Sequence, residues 1–331
     1  MLRRFWNRIS SSPLWQRMRT GRTPYIITTA ALLVSTLLVY FDPRSVLAFL
    51  LFIASTSLIY VMPLKRGFRI GAGLIVALIL IPVIGLRNIF YLEVIFQISV
   101  FAALALGLNI VVGFTGLLNL GYVAFYAVGA YLWAFFGSQQ IYLLHAIPGS
   151  APPDSNFFLP PDTFYLFLFL GLVIAAVVGV LLGLPVLRVR GDYLAIVTLG
   201  FGEVIRVLAN NLDKPLNLTN GPQGITPIQR PTLPQGVVDG WNAIFGPLVG
   251  RPIAQGEFYN LFFYLLALLM VILVIFVVVR LDDSRIGRAW IAIREDELAA
   301  SAMGIPVVNY KLGAFAVAAS FAGVMGVLFA A

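Results

Sequence analysis

The chain has 331 residues, of which 60% are hydrophobic and 11% are charged, and its net charge is +8. An average soluble domain is about 45–50% apolar and about 25% charged, so this composition excludes a soluble enzyme, a disordered regulator and a fibrous protein. The net charge does not indicate nucleic-acid binding, because Lys and Arg flank apolar runs, where they set membrane orientation. Cysteine is absent and His145 is the single histidine, which excludes a disulfide framework and a metal site built from cysteines or several histidines.

Apolar segments of about membrane-spanning length recur along the whole chain. A helix needs about 20 apolar residues to cross ~30 Å of hydrocarbon, and open strands would leave backbone groups unsatisfied in lipid. The sequence therefore predicts an all-α, polytopic transmembrane helical bundle. Its nine predicted apolar segments are 25–41, 45–62, 71–86, 90–112, 117–136, 163–184, 193–209, 258–280 and 307–331.

Basic residues are distributed unevenly around these segments. The first 24 residues contain six arginines and no acidic residue, which predicts a cytoplasmic N-terminus. Alternation from there assigns sixteen Lys and Arg residues to the inside and five to the outside. The last segment stops at Ala331 without a charged anchor, so we expect the natural chain to continue. The predicted organisation is a basic cytoplasmic segment at 1–24, accessory transmembrane helices at 25–90 and a main transmembrane domain at 91–331, with a cytoplasmic loop at 281–306 and an external loop at 210–257.

Two apolar segments are rich in glycine. Residues 113–132 contain four glycines and residues 193–206 contain two, and both segments hold a Leu-Gly-aromatic element. Transporters built from repeats often carry broken helices of this kind. Alternatively, the glycines allow ordinary helices to pack closely. The sequence leaves open whether segments 117–136 and 193–209 cross the membrane completely or are re-entrant.

Polar residues in and beside these two segments are candidates for a solute path. Glu203 and Arg206 would be costly at membrane depth unless they face a partner or water. They could also pair with each other at i, i+3, and the other polar groups could hydrogen-bond between helices. The candidate path residues are Asn109, Thr115, Gly116, Asn119, Gly121, Tyr122, Thr198, Gly200, Glu203 and Arg206.

The predicted cytoplasmic segment 284–313 has an amphipathic pattern. Ser284 can cap a helix start, and Gly304 and Pro306 can end it. One apolar stripe, formed by Ile286, Trp290, Ile293 and Ala300, predicts a helix over 286–304. Such a helix either lies passively in the membrane interface or docks into a groove on a cytoplasmic partner.

This segment resembles the coupling loop of ABC importer permeases, in which Glu-Ala-Ala precedes a glycine with three residues between. Here Ala299 and Ala300 are followed by three residues and Gly304, while Leu298 separates Glu297 from the alanine pair. The resemblance implies that this loop contacts an ATPase. The implied contact residues are Arg288, Trp290, Arg294, Glu297, Ala299, Ala300 and Gly304.

Three further stretches, 106–131, 184–211 and 219–225, resemble the LivM-type permease of branched-chain amino acid importers. The resemblance implies a permease subunit for branched-chain or other neutral amino acids in the inner membrane. It also implies four kinds of partner: a second related permease, two cytoplasmic ATP-binding subunits, an extracytoplasmic solute-binding protein and the lipid bilayer. None of the three lysines follows a glycine, so a Walker A loop is excluded. We therefore expect no enzyme activity or cofactor in this chain, and ATP with Mg²⁺ in the partner ATPases.

Three other interpretations remain open. Urea importers use related permeases, so urea is an alternative solute. An ion-coupled secondary transporter would need no ATPase, and Glu203 is its strongest candidate ion site. A non-transporting scaffold subunit would also fit the abrupt C-terminal end. Co-purification of a protein with a Walker A loop would separate the importers from the ion-coupled transporter.

Overall fold

A computed structural model describes residues 22–152, 156–186 and 192–331. Almost all of the predicted basic segment 1–24 lies outside the described residues. In chain order the helices are α1 (Thr23–Phe41), α2 (Val46–Val61), α3 (Arg66–Arg87), α4 (Ile89–Phe114), α5 (Val123–Phe136), α6 (Phe164–Val186), α7 (Asp192–Asn211), α8 (Gln235–Val249), α9 (Gln255–Asp282), α10 (Arg285–Glu295), α11 (Glu297–Ala302) and α12 (Val307–Ala330).

Each of the nine predicted apolar segments overlaps a helix, so the all-α polytopic fold is confirmed. Within the described residues, seven helices are long and apolar enough to cross a membrane, namely α1, α3, α4, α6, α7, α9 and α12. The apolar helices α2 and α5 are shorter, with 16 and 14 residues.

The two glycine-rich segments differ from each other. Residues 117–122 are not helical, and α5 has only 14 residues. At 1.5 Å per residue α5 is about 21 Å long, which is less than the hydrocarbon thickness. The predicted span at 117–136 is therefore wrong in its first part, because the chain leaves the helix at Gly116, whose φ is +70°. In contrast, α7 is one uninterrupted helix of 20 residues.

The chain divides into two compact units. Of the described residues, the first unit comprises those within 22–95 and 234–265, and the second comprises those within 96–233 and 266–331. The first unit thus contains Pro234–Leu265, which lies within the predicted main transmembrane domain, and the predicted domain boundary at 90/91 stays a prediction.

In the first unit, α1 packs on α2 around small polar side chains, and α2 packs on the start of α4 through stacked rings. Ser35 Oγ and Ser55 Oγ are 2.8 Å apart and hydrogen-bonded. The rings of Phe49 and Tyr91 are stacked with their centroids 4.0 Å apart. The Tyr264 hydroxyl donates to the Ala77 carbonyl oxygen at 2.7 Å, which joins the start of α9 to α3.

In the second unit, α12 is the central helix. Of its most apolar window 72% is buried, against 17–39% for the other long spans. It packs against α5 and α6 through glycines, because a Cβ at Gly323 would overlap Ala175 and the Gly171 carbonyl, and one at Gly326 would overlap the Tyr126 carbonyl oxygen. Small residues of this kind let helix backbones approach closely in membranes.

We predict that Gly326→Ala lowers the stability of the folded protein by about 1–3 kcal/mol, because the added methyl group overpacks the contact between α12 and α5. Gly313→Ala on the same helix is the matched control, since a Cβ there has no atom within 4 Å and Ala favours the helix. The melting temperatures of the detergent-purified variants compare the two. Equal melting temperatures would show that the glycine contacts do not hold α12 in place.

Candidate functional site

The connection between α4 and α5, residues 115–122, is called the α4–α5 break below. The last turn of α4 is a π turn at Ile110–Phe114, and π turns often occur at functional sites. The Thr115 Oγ1 donates to the Val111 carbonyl oxygen at 2.6 Å, and the Leu117 N–H donates to the same oxygen at 3.2 Å. These bonds cap the end of α4 while the chain turns at Gly116.

Asn119 lies in the middle of the α4–α5 break and is 4% exposed. Its Oδ1 accepts a hydrogen bond from the Gly121 N–H at 3.1 Å. Its Nδ2 is buried and has no hydrogen-bond partner among the described residues. Buried polar atoms are nearly always hydrogen-bonded, so an unpaired Nδ2 is unusual. The Asn119 amide is therefore a donor that is available to another group at the break.

The second half of the break is held by α7 and α12. The Leu120 N–H donates to Thr198 Oγ1 of α7 at 3.1 Å. Gly121 lies so close to α7 that a Cβ would overlap the Thr198 carbonyl. The buried Tyr122 hydroxyl donates to the Ala318 carbonyl oxygen of α12 at 2.9 Å.

The structure brings together six of the ten candidate path residues, namely Thr115, Gly116, Asn119, Gly121, Tyr122 and Thr198. The other four are exposed: Asn109 on α4, and Gly200, Glu203 and Arg206 on α7. Arg206 Nε donates to Glu203 Oε2 at 2.9 Å, so the predicted i, i+3 pair forms. A path role for any of the ten residues stays a prediction.

The predicted single helix over 286–304 is wrong. Asp296 has an extended backbone with φ −155°, and its side chain accepts hydrogen bonds from the N–H groups of Leu298 and Ala299 at 2.9 and 3.0 Å. Aspartate favours this capping position over a helix interior. The segment is therefore split into α10 and α11.

The predicted ends of the segment are confirmed. Ser284 Oγ accepts from the Gly287 N–H at 3.0 Å at the start of α10. Gly304 has φ +83°, and its N–H donates to the Ser301 carbonyl while the Ile305 N–H donates to the Ala300 carbonyl. This pair of bonds is a Schellman motif, which ends α11.

The apolar stripe is only partly as predicted. Trp290, Ile293 and Ala300 are buried, but Ile286 is 44% exposed. Leu298 and Met303, which the stripe did not include, are 74% and 84% exposed. The sequence could have indicated that these two side chains are exposed, because each is a large apolar residue outside the apolar stripe of the predicted helix.

Four of the seven implied ATPase-contact residues are bonded to α4 or α12 or are buried. Trp290 Nε1 donates to the Tyr310 carbonyl at 2.8 Å, Arg294 Nη1 donates to the Gly113 carbonyl at 2.7 Å, and Lys311 Nζ pairs with Glu297 Oε2 at 2.7 Å. Ala300 is buried. The remaining three, Arg288, Ala299 and Gly304, are exposed. None of these contacts tests the ATPase role of any of the seven.

We predict that Glu297→Gln lowers stability by about 1–2 kcal/mol, because the Lys311 side chain, 9% exposed, then lacks its counter-charge. The value is at the low end for a broken ion pair, since Glu297 itself is 44% exposed and water screens it. Glu295→Gln is the matched control, because Glu295 is 69% exposed. Thermal unfolding of both detergent-purified variants measures the difference, and an equal effect of the two changes would contradict the prediction.

The family described as "Branched-chain amino acid transport system / permease component" matches residues 90–331. Two relatives, from Salmonella typhimurium and Escherichia coli, are each named "High-affinity branched-chain amino acid transport system permease protein LivM". Each is 42% identical over 247 residues, which covers 70% of this chain and 50% of the relative. The chain thus spans about half the length of these relatives, and no solved structure matches it. From the match over 90–331, the chain belongs to the family of branched-chain amino acid transport permease components.

Proposed function

We propose that this chain is the transmembrane permease subunit of an ATP-driven importer for branched-chain or other neutral amino acids. Its family membership supports this function. The α10–α11 segment resembles a coupling loop. The observation that carries the proposal is that Arg294 of α10 donates to the Gly113 carbonyl at the end of α4 and packs on Gly116 in the α4–α5 break. The α10–α11 segment, which is the proposed ATPase contact, is thereby connected to the α4–α5 break, which is the proposed solute path.

The proposed assembly contains the other subunits that the resemblance implies. A second related permease would complete the pore, and two cytoplasmic ATP-binding subunits would hold ATP and Mg²⁺. An extracytoplasmic binding protein would deliver the solute. The complex would lie in the inner membrane with the N-terminus of this chain in the cytoplasm.

The contacts within the first unit support this orientation. The Lys65 N–H donates to the Tyr25 hydroxyl, which places the α2–α3 turn beside the start of α1. At the opposite end of α1, Arg87 bonds to Tyr40, and Arg251 bonds to the Leu86 carbonyl. Lys65, which is assigned to the inside, therefore lies at the opposite end of α1 from Arg87 and Arg251, which are assigned to the outside, as the alternation requires.

The α4–α5 break and the face of α7 beside it form the proposed solute path. The free Asn119 Nδ2 can donate to a solute carboxylate, and the backbone exposed at Gly116 can do the same, as in other transporters with broken helices. Phe201 on α7, whose ring centroid is 6.3 Å from that of Phe125 on α5, can contact an apolar solute side chain. A solute with a carboxylate and an aliphatic side chain fits these groups.

Transport requires two states that bind the solute differently. ATP-driven closure of the ATPases would move α10 and α11, and through them the α4–α5 break. Access to the path would then change from the outside to the inside. The apolar side chains of Leu298 and Met303, which are the most exposed in this segment, are the proposed contacts for the ATPase.

We predict that the double change Leu298→Asp and Met303→Asp lowers retention of the ATPase subunits on the detergent-solubilised complex by at least about tenfold, because two exposed apolar anchors are lost. Ile147→Asp is the matched control, since Ile147 is 80% exposed in a segment that we assign to the outside. Co-purification at fixed detergent concentration measures retention. Normal retention in the double variant would remove Leu298 and Met303 from the interface.

The function itself is tested by reconstituting this chain with its permease, ATPase and binding-protein partners in liposomes. We predict that leucine, and more weakly alanine, stimulates ATP hydrolysis and enters the vesicles. Stimulation by urea alone would keep the importer architecture and overturn the solute. Uptake driven by a proton or sodium gradient without ATP would contradict the importer and favour an ion-coupled transporter.

A further inference from the structure

We propose that Arg294 is a positioning residue that carries the movement of α10 and α11 to the α4–α5 break. The inference rests on the proposed function and specifies how its two segments are coupled. It assigns Arg294 an intramolecular role in place of the ATPase contact that the sequence resemblance implies.

The guanidinium group of Arg294 bonds to the end of α4. Its Nη1 donates to the Gly113 carbonyl oxygen at 2.7 Å. Gly113 lies in the final π turn, among the last carbonyls of the helix, which lack the regular intrahelical partner. A charge-assisted bond to such a carbonyl is stronger than a neutral one, so Arg294 satisfies a group that the break leaves open.

The aliphatic part of Arg294 also touches the break. A Cβ at Gly116 would lie 2.7 Å from Arg294 Cγ, so the side chain packs directly on the glycine where the chain turns. Gly116 has φ +70°, a conformation that glycine adopts at little cost. The same arginine thus contacts the last turn of α4 at Gly113 and the first non-helical residue after it, Gly116.

The other contacts of the α10–α11 segment and of the break are made with α12, whereas Arg294 joins the segment to the break directly. Trp290 and Glu297 attach the α10–α11 segment to Tyr310 and Lys311 in the first turn of α12. The far end of the break is also attached to α12, through Tyr122 and Ala318. The helix α12 is the most deeply buried span, so we take it as the fixed reference. If α10 and α11 rotate about the first turn of α12, Arg294 moves the end of the break at Gly116. The end at Tyr122 stays with α12.

The α4–α5 break is the part that can respond. Residues 117–122 have no helical hydrogen bonds between them, and segments with few regular bonds open at low free-energy cost. The Arg294 Nη2 also donates to Glu295 Oε1 at 2.9 Å. Movement of α10 therefore reaches the break through the Arg294 side chain.

The test uses Arg294→Met in the reconstituted complex, because methionine keeps an aliphatic stem over Gly116 and removes the hydrogen-bond donor. Arg285→Met is the matched control, since Arg285 is an exposed arginine at the first position of the same helix. Arg294→Lys retains one charged donor and is the conservative variant. Leucine uptake and ATP hydrolysis are both measured per assembled complex, so a change in the amount of assembly does not enter the ratio.

A cysteine reporter gives a readout that a purely structural role would not change. The chain has no cysteine, so Leu120→Cys introduces a single thiol, at a position that is 54% exposed within the break. The rate of thiol labelling is compared with and without vanadate-trapped nucleotide. This rate reports whether the break moves when the ATPases close.

We expect Arg294→Met to lower leucine uptake per ATP about tenfold, as for loss of a charge-assisted hydrogen bond, and to abolish the nucleotide-dependent change in labelling. Arg294→Lys should recover part of both, and Arg285→Met should change neither. An Arg294→Met complex with the uptake ratio and labelling change of Arg285→Met would overturn the proposal. Failure of the proposed function differs, because the wild-type complex would then show no leucine-dependent ATP hydrolysis.

Discussion

A helix inside a bilayer can break only where other groups replace the hydrogen bonds that it loses. Much of the second unit is arranged around one such break, at 115–122. The Thr115 side chain and the Leu117 N–H close the end of α4. Thr198 of α7 accepts from the Leu120 N–H, and Arg294 donates to the Gly113 carbonyl. The break is therefore stable only while α7 and α10 stay beside it, so what moves those helices also acts on the break.

The glycine contacts of α12 supply the fixed part of this arrangement. Close backbone approach at Gly323 and Gly326 holds α5, α6 and α12 together without large side chains. The start of α12 holds the α10–α11 segment through Tyr310 and Lys311. In the proposed mechanism α12 is the fixed part, the α10–α11 segment and the break are the moving parts, and the Arg294 side chain connects these two.

The sequence was sufficient to predict the fold class, the approximate positions of the apolar helices and both ends of the segment 284–304. These features depend on local hydropathy and capping, which are written in consecutive residues. The break at Asp296 was missed, because the same residue can sit on the polar face of a helix or cap a new one. The predicted span at 117–136 did not locate the start of α5 at Val123, since the glycine at 116 does not by itself reveal its φ.

The contacts of the site are a different case. Arg294 bonds to a carbonyl 181 residues away in the chain, and Tyr122 bonds to one 196 residues away. No local pattern encodes such pairs, so the contacts of Arg294 and Tyr122 within the protein could not be predicted from the sequence. Leu298 and Met303 are large apolar residues outside the predicted apolar stripe, so their exposure could be expected from the sequence.

The central claim is that the α4–α5 break moves relative to α12 when the ATPases close. The most direct measurement is the distance between spin labels at Leu118 in the break and Phe329 near the end of α12, both of which are exposed. Pulsed electron paramagnetic resonance would record it in the assembled complex with and without trapped nucleotide. The account predicts two distinct distance distributions, and one unchanged distribution would contradict it.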